Sequence, residues 1–312
     1  MTRIPLASLV LLAGMAQGVQ AQVKLEYEFA EGASWKSKTA VKVHQVLTIA
    51  AKDLPTDSEQ TAVSLLSVGN RDADGHLPVS RKVESFRARL ALPGGLHVAF
   101  DSANPDAKIE NPDLAFLGDV FKVASGLSYT IFLDARDQAQ AVEKVESGTV
   151  KLDDLDPKAK GLLKGVFEGD RLLREFRQDH GNLPAILVRE GEPWDRTEVA
   201  ELGAGQTLTF KVRYEYRGTV EHDCCTLDKI DVKVREVSYA MAADSPSPLK
   251  LVKEDLKVDS SEGTILFDRK LGRVVEHKVV SRIKGDLTFQ AGEQELPATL
   301  DLNLDNATTQ EP

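Results

Sequence analysis

The sequence predicts a mainly β protein of the α+β class: two similar curved antiparallel sheet halves, half-barrel-like or duplicated, with one or two helical segments packed against them. Three observations carry this expectation. Long stretches alternate polar and apolar residues with period two, the mark of half-buried antiparallel strands. Only two regions show apolar residues at helical spacing. The chain's two tryptophans stand in one repeated phrase, Glu31-Gly32-Ala33-Ser34-Trp35 and Glu190-Gly191-Glu192-Pro193-Trp194.

The first 21 residues carry one charge, Arg3, followed by an apolar run centred on Leu9-Val10-Leu11-Leu12 and by Gly18-Val19-Gln20-Ala21. A basic start, a short apolar core and a small-residue site predict a secretory signal peptide over 1–21. No later run approaches the roughly 18 apolar residues of a membrane helix. The expected setting is therefore exported, periplasmic or extracellular, with no integral membrane segment after cleavage. The whole chain has 312 residues and a formal net charge of −10. That balance disfavours nucleic acid, which needs a basic footprint, and it disfavours anionic membrane surfaces.

From residue 22 the halves are read as 22–150, a helical connector 151–183, a second half 184–306 and a tail 307–312. In the first half, Val23 to Phe29 is a strand. Trp35, Ser37, Thr39, Val41, Val43, Gln45, Leu47 and Ile49 then share one face, with Lys36, Lys38, Lys42 and His44 on the other. A second strand is expected over 62–68. Asn70 to Gly75 resembles a calcium loop in its alternate acids. The twelfth loop position, however, is Arg81 rather than glutamate, so a plain turn is expected. A ribbon from Val79 to Leu92 turns at Pro93-Gly94-Gly95. Asn111 can cap and Pro112 can open a helix through Ala124, ended by Gly126. Strands follow over 127–133 and 140–145.

In the connector, Asp156 and Pro157 open a helical pattern over 158–179, read either as one helix weakened by its glycines or as two shorter helices broken near Gly169-Asp170. The second half begins at Leu183-Pro184. Leu208, Phe210, Val212, Tyr214 and Tyr216 form one face of a long strand. Strands 227–234 and 249–258 follow, then a hairpin through Thr264 to Asp268, a return over 274–283, and a closing strand through Leu304. Two further phrases match: Thr130-Ile131-Phe132-Leu133-Asp134 with Thr264-Ile265-Leu266-Phe267-Asp268, and Val142-Glu143-Lys144-Val145 with Val275 to Val279. Shared order at two anchors predicts one β unit used twice.

Tyr27-Glu28-Phe29 with Gly32 and Trp35, Leu183-Pro184 with Gly191 and Trp194, Tyr214-x-Tyr216-x-Gly218, and Gly263, Phe267-Asp268 and Gly272-Arg273 occur in a fixed order. Together they resemble a family of exported bacterial β-rich proteins, planctomycete-type, known only as a domain of unknown function. The resemblance implies export and a β-rich fold, and no activity or site. Cys224-Cys225 departs from the pattern, where a polar turn is expected.

No catalytic signature stands out. There is no Gly-x-Ser-x-Gly elbow, no phosphate loop and no His-x-x-x-His spacing. His222 with the two cysteines lacks the converging set of four that a structural zinc site needs. Catalytic, cofactor and metal residues are therefore none. The cysteines leave three readings open: one buried and one exposed thiol, a strained vicinal disulfide, or a bond to another molecule. Trp35, Trp194, Tyr214 and Tyr216 are the ligand or packing candidates, with packing at strand ends favoured. The expected function is non-enzymatic binding of an apolar small molecule or partner in a concave β surface. The alternatives are a structural or assembly protein acting through contacts with an envelope protein, and a hydrolase with a site assembled from distant residues. The first prediction concerns export. N-terminal sequencing of the exported protein should begin at Gln22, and a secreted product retaining Met1 would refute the cleavage site.

Overall fold

Strands that follow one another in the chain are mostly antiparallel hydrogen-bonded neighbours. The computed structural model describes residues 22–148, 150–163, 168–203, 205–223, 225–243, 245 and 247–311. The signal segment 1–21 and Cys224 lie outside these residues. The first half contains β1 (Ser34–Ile49), β2 (Lys52–Val68), β3 (Leu77–Leu92), β4 (Leu96–Asp101), helix α1 (Phe116–Gly126), β5 (Leu127–Leu133) and β6 (Ala139–Ser147). The connector supplies α2 (Pro157–Leu163) and α3 (Gly169–Asp179). The second half contains β7 (Pro193–Gly203), β8 (Gln206–His222), β9 (Cys225–Met241), β10 (Lys250–Asp268), β11 (Arg273–Ala291) and β12 (Gln294–Glu311).

The expected mainly β architecture with packed helices is present, but the halves are not separate sheets. They form one sheet of order β6-β5-β3-β2-β1-β12-β11-β10-β9-β8-β7, with β4 paired to the end of β3. The join is β1 against β12, in register from Lys36↔Glu311 to Ile49↔Ala298. The expected tail therefore corrects to strand. Residues 307 to 311 pair with β1 and, through Thr309, with β11. Alternation is weak in Ala307-Thr308-Thr309-Gln310, and pairing on both sides holds this segment in the sheet.

Two other elements are longer than expected. β2 starts at Lys52, ten residues before its apolar part. The turn that launches it is Ala50-Ala51, both with positive φ (50° and 60°), between the paired Ile49 and Lys52. Two positive φ values make a primed hairpin turn, which asparagine and glycine normally signal. Pro55 lies where β2 has β1 as partner but not yet β3, so its missing N–H breaks no ladder on the open side. β10 is one strand through 259–263, where the sequence suggested a strand over 249–258 followed by a separate one through Thr264 to Asp268. Ser261 is absorbed by its hydroxyl, which accepts from Val234 N at 2.9 Å and pairs with the Ser281 hydroxyl at 2.9 Å. Gly263 lets Lys278 O approach to 2.7 Å of where a Cβ would stand.

Two helical segments start at the expected caps. Asn111 Oδ1 accepts from Asp113 N at 2.8 Å ahead of a short 3-10 turn, Pro112–Leu114, that leads into α1. Asp156 Oδ1 accepts from Lys158 N at 2.7 Å at the start of α2. The break near Gly169 is real, with α3 beginning there.

The phrases that suggested a repeat occupy equivalent places in the ladder. In the first half a cross-strand row runs Ser34↔Ser67↔Ser80↔Thr130, one residue before Trp35 and at the start of the Thr130 phrase. In the second half the row runs Pro193↔Glu215↔Asp231↔Thr264, one residue before Trp194 and at the start of the Thr264 phrase. Each tryptophan opens the first strand of a four-strand block with the same register.

One face of the sheet collects the apolar side chains. At the tryptophan end, Tyr214, Ile230, Ile265 and Phe267 form one cluster, and Trp35, Leu66, Val79, Ile131 and Leu133 form another with Leu172 and Phe176 of α3. Under α1, Phe86, Ala88, Val98 and Phe100 pack on Phe121. At the far end, Leu208, Ile283, Phe289 and Leu302 form a further cluster. The opposite face carries Lys36, Lys38, Lys42 and Lys278, all exposed. Among the described residues, no helix is long and apolar enough to cross a membrane.

Residues 22–33 strap the tryptophan end. Leu25 enters one apolar cluster and Phe29 the other. Glu28 N donates to Gly272 O at 2.9 Å. Gly272 has φ +58°, and a Cβ there would stand 2.6 Å from Glu28 N. Gly272→Ala should therefore cost about 1–3 kcal/mol in urea unfolding, from strain plus displacement of the strap. A variant as stable as the parent would show that the strap does not depend on this approach.

Candidate functional site

The four aromatic candidates are all turned into packing. Trp194 stacks on Tyr214, with centroids 5.6 Å apart and planes at 11°, and its indole N–H donates to Asn182 O at 2.8 Å. Tyr214 is fully buried and its hydroxyl donates to Glu198. Tyr216 donates to Asp228 at 2.7 Å, and Arg269 pairs with the same carboxylate. Burial, and then the Asp228 bond, pushes the Tyr216 hydroxyl up to about 12. Trp35 is 4% exposed beneath Phe29, with the Arg273 guanidinium over its ring. Among the described residues, its indole nitrogen has no hydrogen-bond partner.

α3 and the chain leaving it connect the two free edges of the sheet. Arg177 Nη2 and Nε donate to Ala139 O on β6 at 2.7 and 3.1 Å. Gln178 donates to Val199 O at 3.1 Å and accepts from Val199 N at 2.6 Å, so its amide meets β7 as a neighbouring strand would. Arg196 donates to Leu183 O at 2.9 Å. Tyr27 from the strap donates to Asn182 Oδ1 at 2.9 Å. At the centre His180 is packed by Phe176 (4.1 Å), Tyr27 (5.0 Å) and Phe29 (5.4 Å), and its Nδ1–H donates to Phe176 O at 3.0 Å.

Beside this core, on β3, stands Arg81. Its Nε reaches Ser64 Oγ at 3.4 Å, and its Nη1 reaches Tyr129 OH at 3.5 Å and Asp179 at 3.7 Å. The Asp179 side chain is 61% exposed although protein surrounds it densely, which places it in a wet recess. Burial raises its pKa against the opposing pull of Arg81. Sequence reasoning missed this group, although a signal was present: Arg81 interrupts the inward-facing series Leu77, Val79, Val83.

A cleft of about 770 Å³ opens where the α1 cluster meets the far-end cluster. Val98, Leu90, Ser58, Val43 and Leu304 line it and are one continuous cross-strand row. Ile109 also lines it, and charged residues such as Lys42, Arg89, Lys108 and Glu110 flank the apolar row. None of these residues was singled out by sequence, because each has an ordinary strand or loop context.

Two polar groups resemble catalytic or metal-binding arrangements. His44 Nδ1 and Asp57 Oδ1 are 2.6 Å apart at the cleft, but they are a directly opposed, exposed cross-strand pair. Asp72, Asp74 and His76 have ligand atoms within 4.8 Å of one another in the expected turn. Asp72 Oδ1 accepts from Asp74 N at 2.9 Å and His76 N at 2.8 Å, so turn geometry accounts for the grouping.

No family model matches the chain, and no curated protein matches it. The resemblance to the planctomycete-type family therefore rests on its phrases alone. Among solved structures, lipovitellin aligns at 8% identity and a TM-score of 0.42, over 91% of this chain and 26% of that one. This chain thus spans about a quarter of lipovitellin. The outer membrane protein OprG from Pseudomonas aeruginosa aligns at 6% identity and a TM-score of 0.18, over 90% and 98% of the two chains. A DUF1329 family protein from Desulfovibrio piger aligns at 9% identity and a TM-score of 0.14, over 86% and 84%. Likenesses at this level carry no argument about what the chain does.

Burial pushes the His180 imidazole down to about 4. The unfolded chain takes up that proton near 6.5, so stability falls as pH drops from about 6.5 to about 4. His277, pushed down to about 4 by burial, acts in the same direction. His180→Phe should flatten the pH dependence of unfolding free energy in this window by about 1–3 kcal/mol, allowing for partial exposure. Parallel curves for parent and variant would rule out His180 as a source of the slope.

Proposed function

We propose that the chain is an exported binding protein that holds an apolar or amphiphilic small molecule in the cleft between the α1 cluster and the far end of the sheet. The observation that carries this reading is the continuous apolar row from Val98 to Leu304, interrupted only by Ser58, flanking about 770 Å³ of open space. Pockets for small ligands are of this size, mostly apolar, with a few polar groups to orient the ligand. The charged residues around the row suit a molecule with one wet end. Export rests on the Met1 to Ala21 pattern, and membership of the planctomycete-type exported family is part of the same proposal.

The test is titration of the mature chain with an environment-sensitive apolar dye, followed by displacement with hexadecanoate. Saturable binding near one dye per chain is expected. Ile109 lies on a loop, so it can be changed with little effect on the sheet. Ile109→Asp, which puts a charge in the cleft, and Ile109→Trp, which fills it, should each weaken binding about tenfold or more without changing the circular dichroism spectrum. Dye binding that does not saturate, or folded variants that bind like the parent, would overturn the proposal.

A further inference from the structure

The two halves share a register but differ in how their polar groups are used. In the second half the row containing the tryptophan runs Trp194↔Tyr214↔Val232↔Gly263. Both polar side chains there are satisfied, the indole by Asn182 O and the phenol by Glu198. In the first half the equivalent row runs Trp35↔Leu66↔Arg81↔Tyr129. Arginine stands where the second half has valine. The Trp35 indole N–H, 96% buried by its 4% exposure, has no partner among the described residues.

The adjacent row on the same face is Gln310↔Ser37↔Ser64, and the Gln310 carbonyl oxygen is likewise without a partner among the described residues. The three contacts of Arg81, at 3.4, 3.5 and 3.7 Å, are all longer than an ordinary hydrogen bond of 2.7–3.2 Å. Among the described residues, a guanidinium with five donors is thus held facing inward with its capacity largely unspent. Its neighbours in the row, Trp35, Leu66 and Tyr129, are at most 6% exposed, while the Arg81 side chain is 31% exposed and that of Asp179 is 61%. The row is sealed except at the arginine.

We propose that this opening is the head-group subsite for the carboxylate of a single-chain amphiphile, with Arg81 as the anion ligand and Trp35 Nε1 and Ser64 as accessory donors. The inference deepens the binding function proposed above and rests on it. A planar carboxylate takes two parallel N–H bonds from a guanidinium, and such charge-assisted pairs are among the strongest hydrogen bonds available. The existing Arg81–Asp179 pair is long and half-solvated, a class that contributes little, so displacing it costs little. Asp179 and Glu175 stand close enough to add negative potential at this arginine, which selects a monoanion over a phosphate dianion. From Trp35 the same face of β1 continues through Ser37, Thr39 and Val41 to Val43 at the cleft. Eight residues of strand, about 26 Å at roughly 3.3 Å each, separate the arginine's row from the cleft.

The experiment compares hexadecanoate with hexadecan-1-ol on the full mature chain at pH 7.5, by displacement of the same dye. The acid should bind at least tenfold tighter than the alcohol. Arg81→Gln should remove that preference by weakening the acid and leaving the alcohol unchanged. Trp35→Phe, which keeps the ring bulk but deletes the N–H donor, should reduce the preference part-way, and it tests the subsite without touching the arginine. Equal affinity for acid and alcohol in the parent, or a preference that survives in folded Arg81→Gln, would overturn the subsite while leaving the binding function standing. Failure of both compounds to displace the dye would overturn the two together.

Discussion

The structure depends on how two unpaired strand edges are satisfied. Twelve strands in nearly sequential order, with the last paired to the first, would close into a ring without edges. This ring is cut between β6 and β7, where the chain leaves the sheet to make α2 and α3. An edge left buried without partners would cost about 1–3 kcal/mol for each unsatisfied group. α3 meets that demand from both sides, with Arg177 on Ala139 and Gln178 on Val199. The next residues, His180 to Leu183, then hold the strap, Trp194 and Arg196. The last turn of α3 and the residues after it, through Leu183, thus couple the two edges, both tryptophan corners and the N-terminal segment.

That arrangement gives the two halves different work although their ladders match. The second half closes on itself at Trp194, Tyr214 and Glu198. The first half receives α3 on its apolar face and keeps an arginine and an indole without a partner among the described residues beside a wet recess. Equivalent backbone positions therefore carry a saturated core on one side and spare donor capacity on the other. The apolar cleft lies where the first half meets β12, with Val43 of β1 in its lining.

Much of the fold was legible because alternation survives wherever one face of a strand is buried. The long strands, the capped helices at Asn111 and Asp156 and the matched corners followed from that pattern and from cap chemistry. The errors have local causes. Ala50-Ala51 turns a hairpin without turn residues, so the polar start of β2 looked like loop. Asp259 to Gly263 has turn composition but is held in β10 by Ser261 and by the close approach at Gly263. The aromatic candidates were recognisable as corners. The cleft was not, since Val43, Leu90 and Leu304 look like any strand residues until the register places them side by side.

The sequence by itself determined the strand content, the signal-like pattern of its first residues, two of the helical starts and the matching order of phrases in the two halves. These are properties of neighbouring residues, and periodicity and capping report them directly. Only the tertiary structure decided that the units share one sheet, that residues 307 to 311 complete it, and that α3 closes the gap between its edges. It alone placed Arg81 in one cross-strand row with an indole that has no partner among the described residues, and Val43 beside Leu304. Those relations join residues tens to hundreds of positions apart. Cross-strand register and sheet curvature create them, and no local pattern encodes either.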